Sequence, residues 1–176
     1  MPYHNKSIVI TGGSSGIGLA IATALARHQN RLILLARNTE HLEAAAEQLR
    51  AQGNSEVHIY PVDISDRPYC TAVITQIGAT HGIDLLINNA GISHCRYFDN
   101  ITVDDFDQIT QINYLGALYC TKAAWPFLKA AEPGRIVFVS SVAGCVGLIG
   151  YSSYVPTKFA LTGLAESLRM EGQRFG

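Results

Sequence analysis

Cysteine is scarce in this 176-residue chain, which has four: Cys70, Cys95, Cys120 and Cys145. No two are close neighbours, which excludes a CxxC redox pair and a zinc knuckle. Their even spacing marks no repeat, because the surrounding residues (PYCTA, SHCRY, LYCTK, AGCVG) do not match. They read as reduced thiols in or near a core. The six histidines form no HExxH or similar ligand pair, so no metal site is expected. A surplus of one charge is missing too. Thirteen Lys and Arg face fourteen Asp and Glu, for a formal net charge of −1, which gives nothing to attract nucleic acid or an anionic membrane. Long apolar runs are absent. The longest, such as Leu32–Ala36 and Ile136–Val139, are strand-sized and far too short to span a bilayer. The opening MPYHNKS lacks the apolar stretch of a signal peptide, and the chain therefore reads as cytoplasmic.

What is present is an ordinary globular composition, 48% hydrophobic and 15% charged, in a length suited to one domain over residues 1–176. Short β-branched runs alternate with segments of helical period. Strands are predicted at Ser7–Thr11, Arg31–Ala36, Glu56–Pro61, Asp84–Asn88 and Gly134–Ser140. Helices are predicted at Gly16–His28, Thr39–Ala51 (stopping near Gly53), Asp66–Thr80, Thr102–Ala131 and Tyr151–Arg174. Asp66 is a candidate cap. Thr102-x-x-Asp105 approaches a capping box, and Pro126 should kink or split its long helix near the end. The strands are almost uniformly apolar, as expected when both faces of a sheet are covered. The pattern specifies an α/β fold, a doubly wound parallel sheet in the order 3-2-1-4-5.

Thr11–Gly18 (TGGSSGIG) lies between the first strand and the first helix. Gly12, Gly16 and Gly18 allow a tight turn and a close approach of backbone to a pyrophosphate. The helix start offers unpaired N–H groups and a partial positive charge. Ser14 and Ser15 add hydroxyls, and Ile17 sits among them. The segment reads as the phosphate-cradling turn of a dinucleotide site. A ribose 2′-hydroxyl is usually held by Asp or Glu at the end of the second strand. Here that strand ends Leu35-Ala36-Arg37-Asn38, with no carboxylate. The planar fork of Arg37 suits a 2′-phosphate, which favours NADP(H) over NAD(H).

Tyr154-Val-Pro-Thr-Lys158 puts a phenol and an amine on one helix face. A neighbouring ammonium favours a phenolate, which lets such a tyrosine exchange a proton with a reacting oxygen. Ser141 follows the fifth strand, at the end of the sheet where ligands bind. Asn113 lies inside the long helix, and spacing alone reads it as part of a solvated face. A strand-end Asn88-Asn89-Ala90-Gly91 completes the set.

With TGxxxGIG, NNAG and YxxxK in this order, nearly the whole chain resembles the short-chain dehydrogenase/reductase family. The resemblance implies that Tyr154 is the general acid/base and that Lys158 eases its ionisation while binding the nicotinamide ribose. It implies that Ser141 hydrogen-bonds the substrate carbonyl and that Asn113 holds a water linking Lys158 to solvent. Asp63, with Ile64, matches the position contacting the adenine, and Asn89, Ala90 and Gly91 line the adenine-ribose side. INYLG (112–116), GRIVFVSSVAG (134–144) and YVPTKFALTGLAESLRME (154–171) are similar to the subgroup reducing 3-ketodihydrosphingosine, a long-chain sphingoid ketone, with NADPH. His41 departs from the Lys often found there as a second 2′-phosphate contact. Complete family members continue with further strands and a substrate lid, so the domain is expected to be C-terminally incomplete. Two functions stay open: a reductase of a small-molecule ketone or alcohol, possibly a lipid, or a core that binds cofactor without turnover. The resemblance also implies a homo-oligomer paired through the long helices. Leu161, Leu164 and Leu168 form a stripe that suits either such an interface or the sheet.

Overall fold

The computed structural model describes residues 3–52 and 56–175. Five parallel strands, β1 (Ser7–Thr11), β2 (Arg31–Ala36), β3 (Glu56–Pro61), β4 (Leu85–Asn88) and β5 (Arg135–Phe138), form one sheet in the order β3-β2-β1-β4-β5. This is the order expected from the sequence. Between them run α1 (Gly16–Ala26), α2 (Thr39–Gln52), α3 (Arg67–His81), α4 (Val103–Thr110) and α5 (Ala117–Ala130), and α6 (Tyr154–Gly172) follows β5. Gly53, the expected stop for α2, lies outside the described residues.

Successive strand residues point to opposite faces, and the sequence fills both. Ile8, Ile10, Leu32, Leu34, Leu85 and Ile87 pack against Ala22 and Ala26 of α1 and Leu42, Ala46 and Leu49 of α2. Val9, Ile33, Leu35 and Leu86 pack against Ile74 and Ile77 of α3 and Ala124 and Leu128 of α5. Each of the buried Val, Leu and Ile side chains is worth about 1.5–3 kcal/mol of burial. This explains why these strands do not alternate with polar residues. Gly78 lets α3 approach α5, since a Cβ there would overlap the Phe127 ring.

The helix starts obey their side chains. Asp66 accepts from Tyr69 N at 3.1 Å, and Thr102 with Asp105 forms a complete capping box. The stretch 102–131 differs from expectation. The rearrangement falls at Gln111–Gly116, a π-helical segment between α4 and α5, whereas Pro126 stays inside α5. Pro126 and Lys122, whose carbonyl loses its partner N–H, are both exposed, so the gap falls on the solvent side of the helix. At the π segment, Gly116 lies against Ile64, where a Cβ would come 2.8 Å from Ile64 Cδ1. Asn113 is fully buried there, which corrects its reading as a solvated helix face.

The cysteines divide. Cys70 and Cys120 are buried with sulfurs 3.4 Å apart, but Cys95 and Cys145 are exposed, which corrects their placement in or near a core. Leu161 is buried, and Leu168 lines a groove with Trp125, Ile136 and Phe138, so of the three leucines Leu168 faces the sheet edge and α5.

Candidate active site

The carboxyl ends of the strands form a continuous cleft. One cavity of 250 Å³ is lined by Ser14, Arg37, Asn38, His41, Asp63 and Ile64, and its neighbour of 330 Å³ by Gly16, Ile17, Asn89, Ser140, Tyr154 and Lys158. Gly12, Ser15, Ala90, Gly91 and Ile92 border both. Residues more than a hundred positions apart in the chain thus share one elongated trough.

The glycine turn is shaped for close approach. Gly12 and Gly16 have φ of 66° and 51°, a left-handed backbone that disfavours other residues. A Cβ on Gly18 would overlap the Gly12 carbonyl, so the third glycine lets α1 start against the turn. A Cβ on Gly16 would meet no atom within 4 Å, which leaves the cleft open above the helix start. Ser15 occupies the N-cap position without a side-chain capping bond. Its hydroxyl and the helix N–H groups remain for a ligand. These features fit the pyrophosphate of a dinucleotide.

Two residues quoted within motifs were given no role of their own from the sequence. Thr11 Oγ1 accepts from both Asn89 N and Ala90 N at 3.0 Å, tying β1 to the loop after β4. Asn89 Nδ2 donates to the Thr11 carbonyl at 3.0 Å and the Gly12 carbonyl at 3.3 Å. The Asn89 side chain thus braces the glycine turn while the residue lines the cleft. The second missed residue is Thr157, buried beside Lys158. A hydroxyl before the motif lysine is its only mark in the sequence.

At the far end of the trough Arg37 is exposed, beside Asp63. Burial pushes the Asp63 carboxyl up, but hydrogen bonds from Ser65 Oγ and Ser65 N at 2.6 and 2.9 Å outweigh it, and Arg37 adds to them. The carboxyl is held below its usual range. Asn38 caps α2 by accepting from His41 N at 2.8 Å, which brings His41 to the same rim as Arg37. Ile64 borders the cleft, but it is buried and its side chain packs under Gly116.

At the other end, Tyr154 opens α6 and Lys158 lies one turn later, with Nζ 5.5 Å from the centre of the Tyr154 ring. Lys158 is 4% exposed, and its Nζ donates to the Val139 carbonyl at 2.8 Å. Burial lowers its pKa from the ordinary lysine value. Ser141 caps a short 3-10 turn, Val142–Gly144, by accepting from Ala143 N at 3.2 Å. That use leaves its own proton to donate. Ser140 forms the cleft wall here, its hydroxyl within reach of Thr162 Oγ1 and the Lys158 carbonyl. Asn113 Oδ1 accepts from Ile92 N at 2.8 Å, and its Nδ2 donates to the Ile92 carbonyl and Thr157 Oγ1. Asn113 Oδ1 and Lys158 Nζ both face Gly91, where a Cβ would lie 3.2 and 3.8 Å from them. Among the described residues no group of three or more His, Cys, Asp or Glu could hold a metal, and no helix is long and apolar enough to cross a membrane.

Known proteins resemble this chain in sequence and fold. The family model described as short chain dehydrogenase matches residues 6–176. The chain is 41% identical to a 3-dehydrosphinganine reductase of Danio rerio, over 97% of this chain and 53% of that one. It is 40% identical to a 3-ketodihydrosphingosine reductase of Bos taurus, over 93% and 51%. The chain thus spans about half the length of these relatives. Among solved structures, a Shigella flexneri short chain dehydrogenase complexed with NADP superposes with a TM-score of 0.92 at 27% identity, covering 98% of this chain and 74% of that one. An NAD+-bound xylitol dehydrogenase gives 0.94 at 28%, covering 100% and 68%. The glycine turn and the helix face that carries Tyr154 and Lys158 both fall within the matched residues, and the chain belongs to the short-chain dehydrogenase family.

Proposed function

We propose that this chain is the catalytic core of an NADPH-dependent reductase, and that its substrate is a long-chain sphingoid ketone of the 3-ketodihydrosphingosine type. The observation that carries the reading is the shared cavity of Tyr154, Lys158 and the glycine turn. The substrate class rests on the likeness to the two sphingoid reductases. NADPH, when bound, supplies the hydride. Ser15 and the start of α1 receive its pyrophosphate. Arg37, with no carboxylate at the end of β2, favours a 2′-phosphate, and His41 at the same rim adds a second polar group. Tyr154 hands a proton to the carbonyl oxygen as it gains charge. Ser141 orients that oxygen with a hydrogen bond. Lys158, held by the Val139 carbonyl, keeps a positive group close to the phenol. Asn113 clamps the loop after β4, and the acceptor capacity left on its Oδ1 suits a relay water on the Lys158 side of Gly91.

A second reading, a core that binds cofactor without turnover, draws on Ser141, which is exposed and lines neither cavity. Pairing of two copies through α4, α5 and α6 is part of the proposal, and sedimentation of the purified chain tests it. The deciding experiment measures NADPH and NADH binding, then ketone-dependent oxidation of each. Tighter NADPH binding with sphingoid-ketone-dependent turnover supports the reductase. Binding with no turnover on any ketone supports the second reading.

A further inference from the structure

The turn that carries Tyr154 is weakly held from its own end. Ser153 occupies the N-cap position of α6 without a side-chain capping bond, and Pro156 contributes no N–H. Tyr154 N and Val155 N both bond the Tyr151 carbonyl, at 3.0 and 2.8 Å. The firm lateral contact comes from Thr157, which is 3% exposed. Its Oγ1 donates to the Tyr154 carbonyl at 2.7 Å and accepts from Asn113 Nδ2 at 3.2 Å. Asn113 in turn exchanges hydrogen bonds with both backbone groups of Ile92, which borders both cavities. A single buried chain of polar groups therefore runs from the cofactor side of the trough, through the π segment, into the first turn of α6.

We propose that Thr157 is a positioning residue that couples the cofactor loop to Tyr154 and sets the placement of the phenol. The proposal rests on the reductase reading for its catalytic consequence. A threonine hydroxyl bonded back to its own helix is common and by itself only local. The bond from Asn113 makes this one a link between elements, and a valine there strands a buried amide donor and loosens the turn. Small misplacements of a proton donor are costly, with about 1 Å reducing rate by up to a hundredfold.

The test compares Thr157→Val, Thr157→Ala and Thr157→Ser with the parent chain. Readouts are kcat and KM, the pH profile of turnover, and thermal midpoint. Thr157→Val should lower kcat on the order of tenfold, leave NADPH affinity in place and displace the pH profile. Thr157→Ser should restore both. If the valine chain does not fold, the alanine chain gives the same comparison. A lower thermal midpoint with unchanged kcat and pH profile overturns the proposal, as does a serine variant as slow as valine. One readout needs no substrate. The Tyr154 share of tyrosinate absorbance, isolated by subtracting Tyr154→Phe, should move in pH when Thr157 loses its hydroxyl. If the parent chain reduces no ketone, the reductase reading fails, while this titration still decides the role of Thr157: a shift upholds it and coincident curves overturn it.

Discussion

The two ends of the sheet are built differently. On the cofactor side, β1, β2 and β4 are buried almost throughout, and the loop after β4 is bonded back to β1. On the catalytic side, β5 alternates exposed and half-buried residues and stands at the sheet edge. Beside it runs a groove of 370 Å³ lined by Trp125, Leu128, Ile136, Phe138, Ala165 and Leu168. The cofactor side gains rigidity from apolar layers on both faces. On the catalytic side Lys158 bonds the Val139 carbonyl, and Thr157, itself bonded by Asn113, holds the Tyr154 carbonyl. Stability should therefore be lost most by changes on the first side, and activity by changes on the second.

The largest effect expected is Tyr154→Phe. Ketone reduction should fall by about 10²–10⁴-fold, with NADPH affinity and thermal midpoint retained. A comparable fall in either would break the division between the sides. Next come paired core truncations. Leu34→Ala, at a fully buried position, should cost about 2–5 kcal/mol in denaturant unfolding. Phe138→Ala, at a half-buried edge position, should cost less than the 3–5 kcal/mol or so of a fully buried phenylalanine. Equal losses would show that β5 is as well supported as β2.

Lys158→Met sharpens the comparison by separating the two properties. Burial disfavours the ammonium, so at pH below its lowered pKa the folded state carries a cost, which fades as pH rises toward the usual lysine range. A methionine removes that cost. Turnover should drop by about a hundredfold, while the thermal midpoint at neutral pH holds or rises. Arg37→Ser should then narrow the proposed preference for NADPH over NADH by about tenfold in kcat/KM, with NADH kinetics unaltered. The smallest effect concerns Asp63. Its carboxyl is held low, so the stability it adds is present above its unfolded pKa of about 3.9 and is lost as pH falls through the lower folded value. Asp63→Asn should flatten that acid limb in unfolding curves and leave stability at pH 7 lower than in the parent.

Much of this was legible in the sequence because it is written locally. Uniformly apolar strands, the cap at Asp66, the box at Thr102 and Asp105, and the glycine turn each depend on residues a few positions apart. The features that escaped depend on which distant segments meet. Asn113 has the spacing of a solvated face, yet the loop after β4 folds over it and buries it. The loudest breaker, Pro126, sits on an exposed side of its helix, while the real rearrangement at Gln111–Gly116 has no composition signal. Thr11 and Thr157 look like ordinary hydroxyl residues, and only the contact between β1, β4 and α6 gives them their roles. The cysteine pair illustrates the same point. Cys70 and Cys120 are fifty positions apart and meet because α3 and α5 pack closely at Gly78.

The most direct test of the account is NADPH oxidation by the purified chain in the presence of 3-ketodihydrosphingosine, run beside Tyr154→Phe. The account predicts ketone-dependent oxidation by the parent chain, almost none by the variant, and equal NADPH binding by both. Equal oxidation by the two, or NADPH binding with no oxidation by either, would contradict it.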